Sequence, residues 1–166
     1  MSFNNLQWLF AIAVTLHNLE EGLWFPQWSQ KFSGWPHPVG KFPFRLAAIV
    51  LTGLAYFLAY LSALGGKGSL GAYLLAGYGF AMLVNVFFPH AIATARFRQY
   101  MPGLATALLL NLPITATLLY RAVTENYVEL KPLAIVAILV ALTLVALIQG
   151  LFKVGKGIEN LQLFTK

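Results

Sequence analysis

Cysteine is absent from these 166 residues, which removes disulfides and thiolate metal sites together; any metal has to be held by nitrogen and oxygen. Charge is nearly as scarce. Only 10% of residues are Asp, Glu, Lys or Arg, against about 25% in a soluble domain. The chain contains no internal repeat, no low-complexity tract and no polar stretch long enough for a water-soluble part. Five acidic residues face eleven basic ones, giving a net charge of +6. The Lys and Arg residues lie at the ends of apolar runs and form no basic patch interleaved with exposed aromatics, so no nucleic-acid partner is expected.

What remains is apolar: 59% of residues are hydrophobic and the mean hydropathy is +0.73. This predicts an all-α polytopic membrane helix bundle forming one domain over 1–166. Five segments of spanning length can be marked, at about 5–25, 43–64, 69–95, 103–121 and 132–152. The first has no basic leader and carries His17, Glu20 and Glu21 where a cleavage site would need small residues, so it is expected to stay in the mature protein. Between the first two spans, Pro, Gly, Trp28, Phe32, Trp35 and Phe42 predict a non-helical segment at the headgroup level, a lid or an anchor. With the N-terminus outside, the inner flanks hold Lys31, Lys41, Arg45, Arg96, Arg98, Lys153, Lys156 and Lys166, and the outer flanks hold Lys67, Arg121 and Lys131. Eight against three favours N-out and C-in in the cell membrane.

Ionisable groups inside a span cost about 2.5–3.5 kcal/mol each at a helix centre, so His17, Glu20 and Glu21 mark a functional site by default. On a 3.6-residue turn they fall within an arc of about 100°. Alternating spans place His90 of the third and Asn111 of the fourth in the same layer, with Gln149 at its shallow edge. Pro89 has no N–H and frees the Asn85 carbonyl. In an ideal helix Asn85 and His90 point about 140° apart, so both can face one cavity only where the helix bends.

Imidazole and carboxylate are ordinary Zn²⁺ ligands, and a catalytic zinc keeps three protein ligands and an open position. His17, Glu21 and His90 are the expected ligands, with Glu20 as general base. Iron or manganese are alternatives if Glu20 also ligates. Asn85 and Asn111 would orient substrate or water, and Arg96, Arg98 and Tyr100 would meet a phosphate or carboxylate headgroup. His37, between two prolines, is expected in an exposed loop, and Tyr56, Tyr60 and Tyr78 in packing or a membrane belt. The fifth span, with no ionisable group between Pro132 and Ile148, is expected to face lipid or a second copy in a homo-oligomer.

His17-Asn18-Leu19-Glu20-Glu21, with Asn85, His90 and the turn Arg98-Gln99-Tyr100-Met101-Pro102-Gly103, resembles the membrane-protein family named for its HXXEE motif. The resemblance runs through spans one to four and implies a fold and a residue set, but no reaction. More distantly, the residue types resemble the Glu, His, His and Asn set of intramembrane CAAX-type prenyl endopeptidases, an analogy that tilts expectation toward hydrolysis. The reading is an intramembrane metal-dependent hydrolase acting on a lipid or lipidated small molecule. The rivals are a small cation or proton transporter and a metal-free isomerase or binding protein for isoprenoid or sterol-like lipids.

Overall fold

Long apolar runs broken by short polar turns fold into five helices, and the computed structural model describes residues 1–163. Lys166, counted above as an inner flank, lies outside the described residues. The helices are α1 (Phe3–Lys31), α2 (Lys41–Gly65), α3 (Leu70–Phe97), α4 (Leu104–Thr124) and α5 (Leu130–Leu163). No strand occurs among the described residues. Helices α2 to α5 are each long and apolar enough to cross a bilayer, so this is an all-helical membrane protein.

α1 is the most polar of the five, and it turns its polar side inward. Gln7, His17, Asn18 and Glu20 are buried, whereas Trp8, Ile12, Leu16, Leu19 and Leu23 form an exposed apolar stripe. The core draws on every helix, with Phe10 and Val14 of α1, Leu58 of α2, Leu75 and Tyr78 of α3, Leu118 of α4 and Leu144 of α5. Tyr78 packs there, its hydroxyl donating to the Leu51 carbonyl at 3.1 Å. Gly71 lets α3 approach α2 closely, since a Cβ there would lie 2.5 Å from the Leu61 carbonyl carbon. At the far end, the Phe3 N–H donates to Glu125 Oε2 at 3.2 Å and the Tyr127 hydroxyl to Asn4 Oδ1 at 3.0 Å, tying the start of α1 to the turn after α4.

Two helices run further than their sequence suggests. The segment from Pro26 was expected to be non-helical, yet α1 continues through it to Lys31. A proline inside a helix strips the donor from the carbonyl four residues earlier, here Gly22. Arg45 of α2 replaces it, its Nε donating to Gly22 O at 3.0 Å. The irregular connection is therefore only 32–40. It is pinned to α1 by Val39, whose N–H donates to Ser29 Oγ and whose carbonyl accepts from Gln30 Nε2. Phe25, Trp28, Trp35, Phe44, Phe97 and Met101 gather there into a second, aromatic cluster. His37 is exposed in this connection, as its flanking prolines suggest.

α5 likewise continues to Leu163 instead of stopping near 152. Its outer face, including Ile135, Ile138 and Leu142, is exposed, while Leu133, Ala137 and Leu144 are buried in its packing against α2 and α3. It is thus a wall of the bundle as well as an outward face. Gln149 is exposed on it, apart from the polar layer.

Candidate metal centre

The site is assembled where the regular α1 meets a break in α3 and the start of α4. α3 breaks at Phe88, whose φ of −127° and ψ of 116° are extended rather than helical, next to a cis Phe88–Pro89 peptide. The break brings Asn85 and His90 to one place: Asn85 Nδ2 lies 3.2 Å from His17 Nε2, and His90 Nε2 lies 3.2 Å from Glu21 Oε1. The His17 and His90 rings meet edge to face with centroids 4.9 Å apart. His17 Nε2 is 3.8 Å from Glu21 Oε2, one turn along α1.

The second irregularity is the start of α4. The first N–H groups of a helix have no partner within it and are usually capped by the side chain of the residue before it. That residue is Gly103, which has no side chain. Glu20 caps the helix from α1 instead. Its Oε1 accepts from the Gly103 N–H at 2.8 Å and from the Tyr100 hydroxyl, and its Oε2 accepts from the Thr106 N–H at 3.0 Å and from Thr106 Oγ1 at 2.6 Å. A carboxylate has about four lone-pair sites. All four are filled, and the negative charge sits at the positive end of the helix dipole.

This network also assigns the His17 tautomer. The short contact to Glu20 takes the Thr106 hydroxyl proton, so at 3.1 Å Thr106 Oγ1 accepts from His17 Nδ1–H. The lone pair is then on Nε2, on the side of Glu21 and Asn85. Asn85 Nδ2 then donates to that lone pair at 3.2 Å, a bond that a cation on Nε2 would displace; a hydrogen-bonded Nδ1–H is the usual arrangement of a histidine that ligates through Nε2.

Gly103 is required here twice over. Its φ of +96° lies in the left-handed region, and a Cβ would sit 2.5 Å from His90 Cε1 and 2.8 Å from Glu21 Cγ. Neither Gly103 nor Thr106 was singled out from the sequence as a site residue. The Pro-Gly turn was visible, but its spacing to Glu20 exists only in the folded chain.

One ligand atom each from His17, Glu21 and His90 lie within 4.8 Å of one another. Ligand bonds of about 2.0–2.2 Å put neighbouring ligand atoms about 3.3–3.6 Å apart around a tetrahedron. The 3.2 Å from His90 runs to Glu21 Oε1 and the 3.8 Å from His17 to Oε2, and with one atom per residue the set spreads to as much as 4.8 Å, so a cation would have to draw the three ligands in. Both histidines are buried, and no Lys or Arg lies within ion-pair distance of Glu21 among the described residues. The donor types and their convergence on one point fit a divalent cation once the ligands close in. His17, Asn18, Glu21 and Asn85 line a cavity of about 230 Å³ whose remaining walls are largely apolar, among them Met82, Phe88, Leu144 and Ile148.

The remaining expected site residues divide. Asn111 is completely buried, and neither its Oδ1 nor its Nδ2 has a partner among the described residues. Tyr100, expected to meet a headgroup, stays half exposed while its hydroxyl donates to Glu20 and accepts from the Ala105 N–H at 3.2 Å. Burial first, and then the bond to Glu20, raise its phenol above the ordinary value. Arg96 and Arg98 are exposed at the end of α3 and do not join the cluster; Arg98, at φ 51°, terminates that helix.

Residues 8–118 match the family described as "Protein of unknown function with HXXEE motif". The chain is also 40% identical over 146 residues to "Uncharacterized protein YrkK" of Bacillus subtilis (strain 168), covering 88% of this chain and 92% of that one. No solved structure matches it.

Proposed function

The chain belongs to the HXXEE family of membrane proteins, and from that premise we propose that it is an intramembrane metal-dependent hydrolase acting on a lipid or lipidated small molecule. The observation that carries this reading is the convergence of buried His17 and His90 on partly buried Glu21, with ligand atoms within 4.8 Å, beside a mostly apolar cavity that His17 and Glu21 line. These three residues hold the divalent cation, zinc in the first instance, with iron or manganese as alternatives. When bound, the cation supplies Lewis-acid polarisation and lowers the pKa of water in its open position.

The chain's own residues do the rest. Thr106 holds the proton on His17 Nδ1 so that Nε2 faces the cation. Glu20 holds Thr106 and the start of α4, which makes it a positioning residue; the role of general base, expected for it from sequence, needs a free lone pair, and its four are occupied. Asn85 lines the cavity and offers its amide to the substrate, while Met82, Phe88 and Leu144 exclude water and receive an apolar tail.

In this reading α1 is a fifth span, supported by its exposed apolar stripe, and the charge asymmetry of the flanks orients the chain N-out and C-in in the cell membrane. The exposed face of α5 suits lipid or a second copy. A rival reading, a cation or proton carrier, draws on Asn111 and Thr115, fully buried one turn apart on α4 with unpartnered polar atoms leading away from the cluster.

Elemental analysis of protein purified in detergent tests the proposal. Stoichiometric metal, lost in a His17→Ala/His90→Ala double variant, together with hydrolysis of an amphiphilic ester or amide that the variant lacks, is the expected result. Metal-free wild-type protein, after expression with zinc, iron and manganese supplied, defeats it. Ion flux into proteoliposomes without hydrolysis points to the carrier.

A further inference from the structure

Outside the metal centre, between α1 and α2, lies a groove of about 490 Å³ that shares only Asn18 with the cavity beside that centre. Small residues on both helices line it, Gly22 on α1 and Ala48 on α2, and a Cβ added at Gly22 would lie 3.9 Å from Arg45 Cγ. Asn18 holds the helices at that spacing, its Nδ2 donating to Ala48 O at 3.2 Å and Thr52 Oγ1 at 2.8 Å. Leu19, Leu23 and Ile49 complete apolar walls that open to the outside of the bundle. From Arg45 to Thr52 the groove follows two turns of α2, about 10 Å at 1.5 Å per residue.

Arg45 closes the end nearest the start of α2, the level at which a span meets headgroups. Its guanidinium is held by the Nε bond to Gly22 O, the carbonyl that Pro26 leaves without a donor. One of five N–H donors is thereby used, and four on the Nη nitrogens remain in a fixed fork. No carboxylate lies within ion-pair distance of Arg45 among the described residues. A pre-set, unpaired fork above an apolar channel matches an anion with a hydrocarbon tail.

We propose that this groove binds an anionic phospholipid of the surrounding bilayer, its phosphate on the Arg45 Nη donors and the upper part of one acyl chain between Leu19, Leu23 and Ile49. The site is separate from the metal centre and binds whether or not the metal centre is catalytic.

The test uses the full chain in detergent, with binding read by native mass spectrometry and thermal unfolding during titration with phosphatidylglycerol or with phosphatidylcholine of the same acyl chains. Wild-type protein is expected to prefer phosphatidylglycerol and to unfold at a higher temperature with it. Arg45→Gln is expected to lose at least about tenfold of that preference, the effect of one charge-assisted hydrogen bond. Ile49→Trp, at an exposed position that the core does not need, fills the channel and is expected to weaken both lipids. Lys41→Gln, a charge one turn away, is expected to keep the preference. The proposal is overturned by a wild type without preference, by Ile49→Trp binding as wild type, or by Lys41→Gln losing as much as Arg45→Gln, which signals diffuse attraction only. If Arg45→Gln does not fold, the Ile49→Trp and Lys41→Gln pair decides alone.

Discussion

Replacing Thr106 by valine removes one hydroxyl while keeping the shape of the side chain, and it tests whether Glu20 works through Thr106 on His17. Three contacts disappear: the 2.6 Å bond to Glu20 Oε2, the 3.1 Å bond from His17 Nδ1 and a weaker one of 3.2 Å to the Gly103 carbonyl. The Thr106 backbone N–H keeps its 3.0 Å bond to Glu20, so the start of α4 stays capped. The lost charge-assisted bond is worth about 1.5–3 kcal/mol and the stranded, buried imidazole N–H about 1–3 kcal/mol, with partial relaxation leaving about 2–4 kcal/mol of destabilisation. With its outer nitrogen unpartnered, His17 is free to change tautomer, and metal affinity is expected to fall 10–100-fold, roughly the cost of removing such a supporting bond. Competition against a chromogenic chelator measures the affinity and thermal unfolding in micelles the stability. Thr106→Ser should recover most of both. A Thr106→Val protein that unfolds at the wild-type temperature and binds metal within about twofold of wild type would refute the relay, since the bonds in question carry a tenfold effect or more.

Gly103→Ala combines left-handed backbone strain of about 1–3 kcal/mol with overpacking of about 1–3 kcal/mol against His90 and Glu21, and should unfold at a distinctly lower temperature and bind less metal. Glu20→Gln places an amide N–H₂ against donors and should cost about 2–4 kcal/mol in unfolding measurements; full stability with loss of turnover alone would restore the general-base role. Glu21→Gln should retain the fold, judged by circular dichroism, and lose stoichiometric metal. Because the Tyr100 phenol is raised above its ordinary value near 10, its contribution to folding is complete below that pH and is lost as pH rises through the higher folded-state value. Phenolate absorbance should therefore rise later in wild-type protein than in unfolded chain, and Tyr100→Phe should reduce that late component by one phenol, the buried Tyr78 keeping its own.

The scarcity of charge, the absence of cysteine and the run lengths were enough to establish a helical membrane protein, because burial in lipid tolerates no other backbone arrangement without a closed barrel. The polar layer was also legible in outline: alternating spans bring His17, His90 and Asn111 to one depth whatever the packing. Pro89 signalled that α3 must bend if Asn85 and His90 are to share a cavity; α3 does bend, and it sets Asn85 against His17 and His90 against Glu21, but only Asn85 lines the cavity. Partners were not legible, because a hydrogen bond depends on ångström geometry that residue spacing along separate helices does not specify. Glu20 and Glu21 are adjacent and chemically identical in the sequence, yet one caps α4 and the other faces two histidines. That division arises from a 100° step around α1 meeting a helix N-terminus on one side and a broken helix on the other. The length of α1 beyond Pro26 was likewise settled in three dimensions, by an arginine nineteen residues later reaching the carbonyl that the proline had left bare.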